Sequence, residues 1–313
     1  MLNEKPLISF ILLAYNQEKY IEEAIEAAFK QTYSPLEIIL SDDCSTDNTY
    51  NLIENMVQNY RGLHTIILNR NKENLGICGH VNFVLEMTSG KLIVMAAGDD
   101  ISDVDRVTKI HEVWQTSDDK TRAVFSNAEK IDAIGTHLGP IFPSKPLFSQ
   151  TITDFKQGIE CWALGASLAI DKNLYKKYGE IDSKNMQEDG CLAFRALLEG
   201  NILYIDQLLV KYRHHDKNVS QTTNPARRLV MQKNEYFLKT GWLREAQRFC
   251  SDDLELILLL KRLRKMAFMR KAIWNIPFVG YIYNFLKIEI KAYIAVIQCI
   301  IQKVLLWVNT QRE

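Results

Sequence analysis

Three pairs of neighbouring carboxylates stand where apolar runs end or a helix begins: Asp42-Asp43, Asp99-Asp100 and Glu188-Asp189. The middle pair closes the run Leu92-Ile93-Val94-Met95-Ala96-Ala97, which follows the turn signal Ser89-Gly90 and reads as a buried strand. Asp42-Asp43 closes a second such run, Leu36-Glu37-Ile38-Ile39-Leu40. Acids at the carboxyl ends of strands lie on the edge where open α/β sheets bind ligands. Two carboxylates held there repel each other unless a cation lies between them. Oxygen ligands with positions left open for a phosphate suit Mg2+ or Mn2+. One Asp-Asp pair alone reads more readily as a turn with helix-capping acids. Two pairs on neighbouring strand ends argue for a shared crevice flanked by Asp43 and Asp100. Glu188-Asp189 opens a helix, where acids also complement the helix dipole.

The elements that must position these acids alternate regularly. Residues 7–14 are almost continuously apolar, as a central parallel strand covered on both faces requires. Tyr15-Asn16-Gln17 turns the chain into a helical face over 18–30. The strand at 36–40 leads to a helix over 48–60, with Asp47 or Thr46 as N-cap. A strand at 64–68, a loop to Asn74, a helix over 78–88, the acid-tipped strand, a helix over 103–116 and a strand at 122–126 follow. This alternation predicts right-handed βαβ units in a mainly parallel sheet, an α/β fold. Beyond it come a hairpin and long loop (128–149), a small apolar segment (161–170), a short helix (171–178) and a helix from Glu188 to Leu198. Two short strands (202–205, 208–212) and a breaker-rich loop (214–225) complete this part.

From residue 226 the pattern is helical only, with amphipathic helices over 227–240 and 252–269. The run 292–308 is very apolar but carries Gln298, Gln302 and Lys303, and it falls short of the roughly 20 apolar residues of a spanning helix. With Lys287, Lys291, Trp274 and Trp307, residues 272–308 read either as helices in a membrane interface or as helices packing on the catalytic part or on a second copy in a homodimer. The domains expected are 1–220 and a helical region 221–313. Lys+Arg and Asp+Glu are both 38, so charge gives no support for nucleic-acid binding. The six cysteines form no CxxC pair, which fits reduced thiols in a cytoplasmic protein. The polar start Asn3-Glu4-Lys5-Pro6 does not suit a signal peptide.

The ordered set Leu13-Ala14-Tyr15-Asn16-Gln17-Glu18, Ser41-Asp42-Asp43-Cys44-Ser45-Thr46-Asp47-Asn48-Thr49, Asn74-Leu75-Gly76 with Asn82, Ala97-Gly98-Asp99-Asp100, Glu188-Asp189 and Tyr212-Arg213-His214-His215 closely resembles the family 2 glycosyltransferases. Each motif is weak alone; their order over about residues 6 to 220 is specific. The resemblance implies the GT-A fold and inverting transfer of one sugar from a nucleotide-diphosphate donor, UDP-linked by preference, to a glycan or lipid-linked saccharide acceptor. Under it Asp43, with Asp42, contacts base and ribose, and Ala14 and Asn16 line the nucleotide pocket. Asn74 and Gly76 approach the donor, and Asp99 faces ribose or metal. Asp100 is the main metal ligand for Mn2+ or Mg2+, His215 is a further ligand, Arg213 lies near the diphosphate, and Asp189, beside Glu188, is the general base. Trp162 and Gly165 are acceptor-side candidates; His64, His80, His111 and His137 are structural. The setting implied is surface polysaccharide or glycolipid synthesis at the inner face of a bacterial membrane.

Three residues depart from the family pattern: Cys44 stands for the usual Gly, Ala97 for an acid, and His80 for a frequent Arg. The Gln-x-x-Arg-Trp signature of processive synthases is absent, which fits single-sugar transfer. The competing readings are a nucleotidyltransferase, which would need a glycine-rich basic loop after the first strand, and an inactive nucleotide- or glycan-binding module.

Overall fold

The computed structural model describes residues 4–117, 120–143, 148–159, 163–182, 187–215, 218 and 225–274, without the side chains of 225–233 and 270–274. The first half alternates strand and helix: β1 (Ile8–Ala14), α1 (Ile21–Phe29), β2 (Leu36–Asp42), α2 (Thr49–Asn59), β3 (Thr65–Arg70), α3 (Gly76–Met87), β4 (Leu92–Ala97), β5 (Ile101–Ser102) and α4 (Arg106–Thr116). Then follow β6 (Thr121–Ile131), β7 (His137–Pro140), β8 (Phe148–Thr151), α5 (Ile152–Lys156), a 3-10 turn (Gly165–Ser167), β9 (Ala169–Asp171), α6 (Lys172–Tyr178), α7 (Glu188–Glu199), β10 (Asn201–Arg213), α8 (Pro225–Phe249) and α9 (Leu254–Trp274).

These strands form one sheet in the order β3-β2-β1-β4-β9-β6-β10-β5, with β7 beside β6 and β8 beside β10. The β3-β2-β1-β4 half is parallel throughout, as the βαβ alternation requires. Its register sets Ala14 opposite Asp42 and Leu13 opposite Ala97, so the acids that follow β2 and β4 emerge on one edge around the end of β1. Both faces are covered. Phe10, Leu12, Ile38 and Val94 pack with Ile21, Ile25, Ile53, Val107 and Ile110 of α1, α2 and α4. Ile11, Leu13, Ile39 and Met95 pack with Val81, Leu85, Leu192 and Phe194 of α3 and α7. The period-2 alternation along each strand divides the two cores, and burial on both sides explains why the strands read as unbroken apolar runs.

Two local expectations are corrected. Residues 202–212 form one strand, β10, because Asp206-Gln207 is absorbed by register shifts against β6 rather than ending the pairing. The predicted 78–88 helix starts two residues earlier, at Gly76, whose φ of 69° lets the chain enter the helix from the loop. Trp242, Leu243 and Ala246 of α8 and Leu256 and Leu260 of α9 are buried in the same core as α3 and α7. The stretch 275–308, most of the predicted interfacial segment, lies outside the described residues.

Candidate active site

The end of β2 builds a clamp. The Asp42 carboxylate is fully buried, and its Oδ2 accepts from the Ser45 backbone N–H at 2.9 Å, with Arg70 Nε at 3.6 Å. Its Oδ1 is buried without a hydrogen-bond partner among the described residues. Asp43 is tied to the end of β1 by its backbone N–H, which donates to the Ala14 carbonyl at 2.9 Å. Its Oδ1 accepts from Asn71 Nδ2 (2.7 Å) and Leu75 N (2.9 Å), and its Oδ2 from Gly76 N (3.0 Å). Asn74 Oδ1 shares the Gly76 N–H at 2.9 Å. Asp43 therefore holds the Asn71–Gly76 loop against the sheet edge. Asn16 accepts from Thr46 N at 2.8 Å, and its own N–H donates to Ser45 Oγ at 2.9 Å, joining the turns after β1 and β2. Both turns are left-handed, with φ of 53° at Asn16 and 60° at Cys44. Asn tolerates that region; Cys44 does not share that tolerance, which accounts physically for the glycine usual at its position. His80 is buried with its Nε2 2.7 Å from Ser41 Oγ, and burial lowers its pKa.

The end of β4 builds a second unit. Gly98 is confined there, because a Cβ would lie 2.4 Å from Gln17 Oε1 and 3.3 Å from Ala14 Cβ. The two acids beyond it part company. Asp100 turns inward: it is buried, its Oδ1 accepts from Arg213 N at 2.8 Å, and burial with the charge of Asp99 holds its pKa well above the ordinary range. Asp99 turns outward, and its Oδ2 lies 3.0 Å from His215 Nε2. Arg213 is buried and fully engaged. It donates from Nε to the Asp99 carbonyl (3.0 Å) and from Nη2 to Glu23 (2.8 Å), and its guanidinium lies over the Tyr20 ring at 4.8 Å. The other neighbour of that ring is His215, at 5.0 Å between centroids. Tyr20 thus contacts both Arg213 and His215. Arg213 positions the Asp99–Asp100 turn, and Asp99, rather than Asp100, meets His215.

The third acid pair opens α7. Burial, then the charge of Asp189, pushes Glu188 up to about 8. Burial raises Asp189 too, opposed by N–H donors from Gly190 and Gly165; Gly190 N lies 2.7 Å from its Oδ1. Both acids keep partial contact with solvent, so they line a cleft rather than the core. Gly165 makes room for Asp189: a Cβ there would stand 3.1 Å from Asp189 Cβ and Oδ2. Its turn is pinned by Ser167, whose Oγ donates to Ser126 O at 2.8 Å. Cys78 of α3 is buried within the field of Glu188 and Asp189, and its thiol is pushed up to about 12. The N-terminal part of α3, which carries the clamped loop, therefore borders the acids of α7.

Sequence reasoning missed Tyr20, Arg106 and Trp242. Arg106 lies buried beneath Asp100, donating to Met95 O and Ser102 Oγ, and burial lowers it to about 9. Trp242 donates from Nε1 to Gly190 O at 3.0 Å and stacks on Phe194 at 4.8 Å, holding the start of α7. A tyrosine in a helix-opening turn and a tryptophan in a distant amphipathic helix carry no local signal of such a role. Trp162 lies outside the described residues.

Comparison with known proteins agrees with this architecture. A family model described as glycosyl transferase family 2 matches residues 9–160. An uncharacterized glycosyltransferase of Haemophilus influenzae is 31% identical over 231 residues, covering 70% of this chain and 69% of that protein. The chondroitin synthase of Escherichia coli is 25% identical over 268 residues, 81% of this chain but only 37% of that protein. Among solved structures, S. aureus TarS 1-349 in complex with UDP superposes with a TM-score of 0.59 at 16% identity, covering 83% of this chain and 70% of that one. The mannosyltransferase PcManGT of Pyrobaculum calidifontis, in complex with GDP-Man and Mn2+, gives 0.58 at 15% identity, covering 95% and 85%. These likenesses bear out the GT-A fold expected from the resemblance. The acid-tipped parallel strands, the ordered motifs and a relative 31% identical over most of both chains converge on one conclusion: this chain belongs to glycosyltransferase family 2.

Proposed function

We propose that the protein moves one sugar from a nucleotide-diphosphate sugar to a hydroxyl of a saccharide acceptor with inversion, in polysaccharide or glycolipid synthesis. The observation that carries this reading is the facing pair Asp99–His215 on the sheet edge that also holds the Asp43 clamp. A carboxylate oxygen and an imidazole nitrogen 3.0 Å apart suit a divalent ion that keeps positions open for phosphate and water. Among the described residues no group of three or more His, Cys, Asp or Glu side chains could hold a metal. Asp99 and His215 would hold Mn2+ or Mg2+, which when bound stabilises the charge developing on the diphosphate leaving group. The loop fixed by Asp43, with Ala14 and Asn16, would border the base. Asp189 accepts the proton of the attacking hydroxyl, which is a poor nucleophile until deprotonated. One carboxylate suffices because a diphosphate leaves without a protein acid, unlike the two carboxyls that glycoside hydrolysis uses.

UDP is the favoured nucleotide. In a thermal-shift panel of UDP-, GDP- and dTDP-sugars with and without Mn2+, one donor raises the melting temperature in a metal-dependent way, and Asp99→Ala removes the metal-dependent part. No shift with any donor would overturn the reading.

The exposed face of α9 supports peripheral attachment to an anionic membrane surface. It presents Leu254, Leu258, Met266, Phe268 and Met269 together with Lys261, Arg262 and Lys265, the mixture that holds a helix in a membrane interface.

A further inference from the structure

A groove of about 590 Å³ runs along the outer flank of α3. One wall is α3 itself, from Leu75 at the clamped loop past Phe83 to Glu86; the other is the Glu180–Asp182 turn, with Arg244 of α8. Glu86 lies eleven residue steps beyond Leu75, about 16 Å at the helical rise of about 1.5 Å per step, which is longer than one sugar ring. The groove starts at the donor edge, because Leu75 N is held by Asp43 at 2.9 Å. Its far wall belongs to the segment that leads into Glu188 and Asp189. That wall is fixed to α3 by Asn82, which donates from Nδ2 to Ile181 O at 2.7 Å and accepts from Ile181 N at 2.8 Å.

Its lining is of a particular kind. Phe83 offers an aromatic ring 43% exposed, an apolar platform for the C–H face of a sugar. Arg244 Nη1 pairs with Asp182 Oδ2 at 3.0 Å, so its charge is already met. Glu86 and Glu180 are exposed carboxylates on the same groove, leaving it net negative. Carboxylates accept hydrogen bonds from hydroxyl and amino groups and repel phosphate or uronate.

We propose that this groove binds the sugar rings of the acceptor that lie beyond the one being glycosylated, and that it selects uncharged or amino-bearing saccharides over anionic ones. This deepens the transferase reading and rests on it. The probe is a glycan array carrying neutral, amino, uronate and phosphate-bearing oligosaccharides, incubated with the labelled full-length chain. Neutral or amino glycans retain the protein at least tenfold above the anionic ones. Phe83→Ala reduces that retention tenfold or more, Phe83→Trp restores it, and Glu86→Lys with Glu180→Lys shifts retention toward anionic glycans. The exposed Phe83 variants keep the nucleotide-sugar thermal shift, which also reports that they fold. No retained glycan, a preference for anionic glycans, or retention unchanged by Phe83→Ala overturns the groove assignment while leaving the transferase reading standing. Absence of any nucleotide-sugar shift in the unaltered chain overturns that reading and the groove with it.

Discussion

At the scale of single residues, the Glu188–Asp189 pair sets what the cleft can do at a given pH. Like charges side by side shed their protons in two steps. Burial raises both acids, opposed at Asp189 by backbone N–H groups, and Glu188 is pushed up to about 8. Near neutrality Glu188 therefore holds a proton, and a general base at Asp189 needs that second acid as a carboxylate. Asp189→Asn lowers turnover by about 10²–10⁴-fold while leaving donor binding in place, and Glu188→Gln, which mimics the protonated acid, keeps neutral-pH turnover. Glu188 also marks stability. Its folded pKa lies above its ordinary 4.5, so the folded chain binds more protons than the unfolded one between about 4.5 and 8. The contribution is full below pH 4.5 and is lost as pH rises through 8. Urea midpoints at pH 6 and pH 9 check this: Glu188→Gln narrows the drop between them, and an unchanged drop removes Glu188 from the account.

At the scale of elements, α7 is aimed from outside its own sequence. Its first turn hangs on Trp242 through Gly190, and its middle on Arg195, which bonds Glu245 of α8 at 2.8 Å and the carbonyls of Gly179 and Glu180. The same Glu180 turn forms the groove wall, so α8 positions the acids of α7 and the groove together. Trp242→Ala opens a cavity in the shared core and costs about 3–5 kcal/mol in urea unfolding. Trp242→Phe keeps the ring stack but leaves Gly190 O without its donor, at about 1 kcal/mol. Equal losses from the two variants would show that the hydrogen bond, not packing, holds α8 to α7.

At the scale of the whole molecule, the helical region serves as a buttress on one side and an open face on the other. Leu256, Leu260 and Ala267 of α9 are buried, while the apolar and basic residues of its other side face outward. Among the described residues no helix is long and apolar enough to cross a membrane. Attachment would instead be interfacial, and it would draw on anionic lipid. In flotation with phosphatidylglycerol vesicles the full chain rises with the lipid, and with phosphatidylcholine vesicles it does not. Lys261→Glu with Lys265→Glu stays at the bottom of the gradient, and equal partitioning of that variant would remove the α9 face from the membrane reading.

The parallel half-sheet was legible in the sequence because its signals are local. Apolar runs of strand length, turn residues at their ends and helical spacing between them follow from periodicity and solvent exclusion alone. Strand ends tipped with acids likewise predicted that Asp42-Asp43 and Asp99-Asp100 share one edge, and the register of β1 with β2 and β4 shows that they do. Local patterning could not say which acid of a pair turns inward. Asp99 meets His215 across 116 residues of chain, while Asp100 caps Arg213 N and rests over Arg106; those partners come together only when β10 docks beside β5. The single strand β10, the burial of Arg213 and the seat of Trp242 under α7 have the same origin. Each depends on contacts between segments far apart in sequence, set by register and close packing, which no window of neighbouring residues contains.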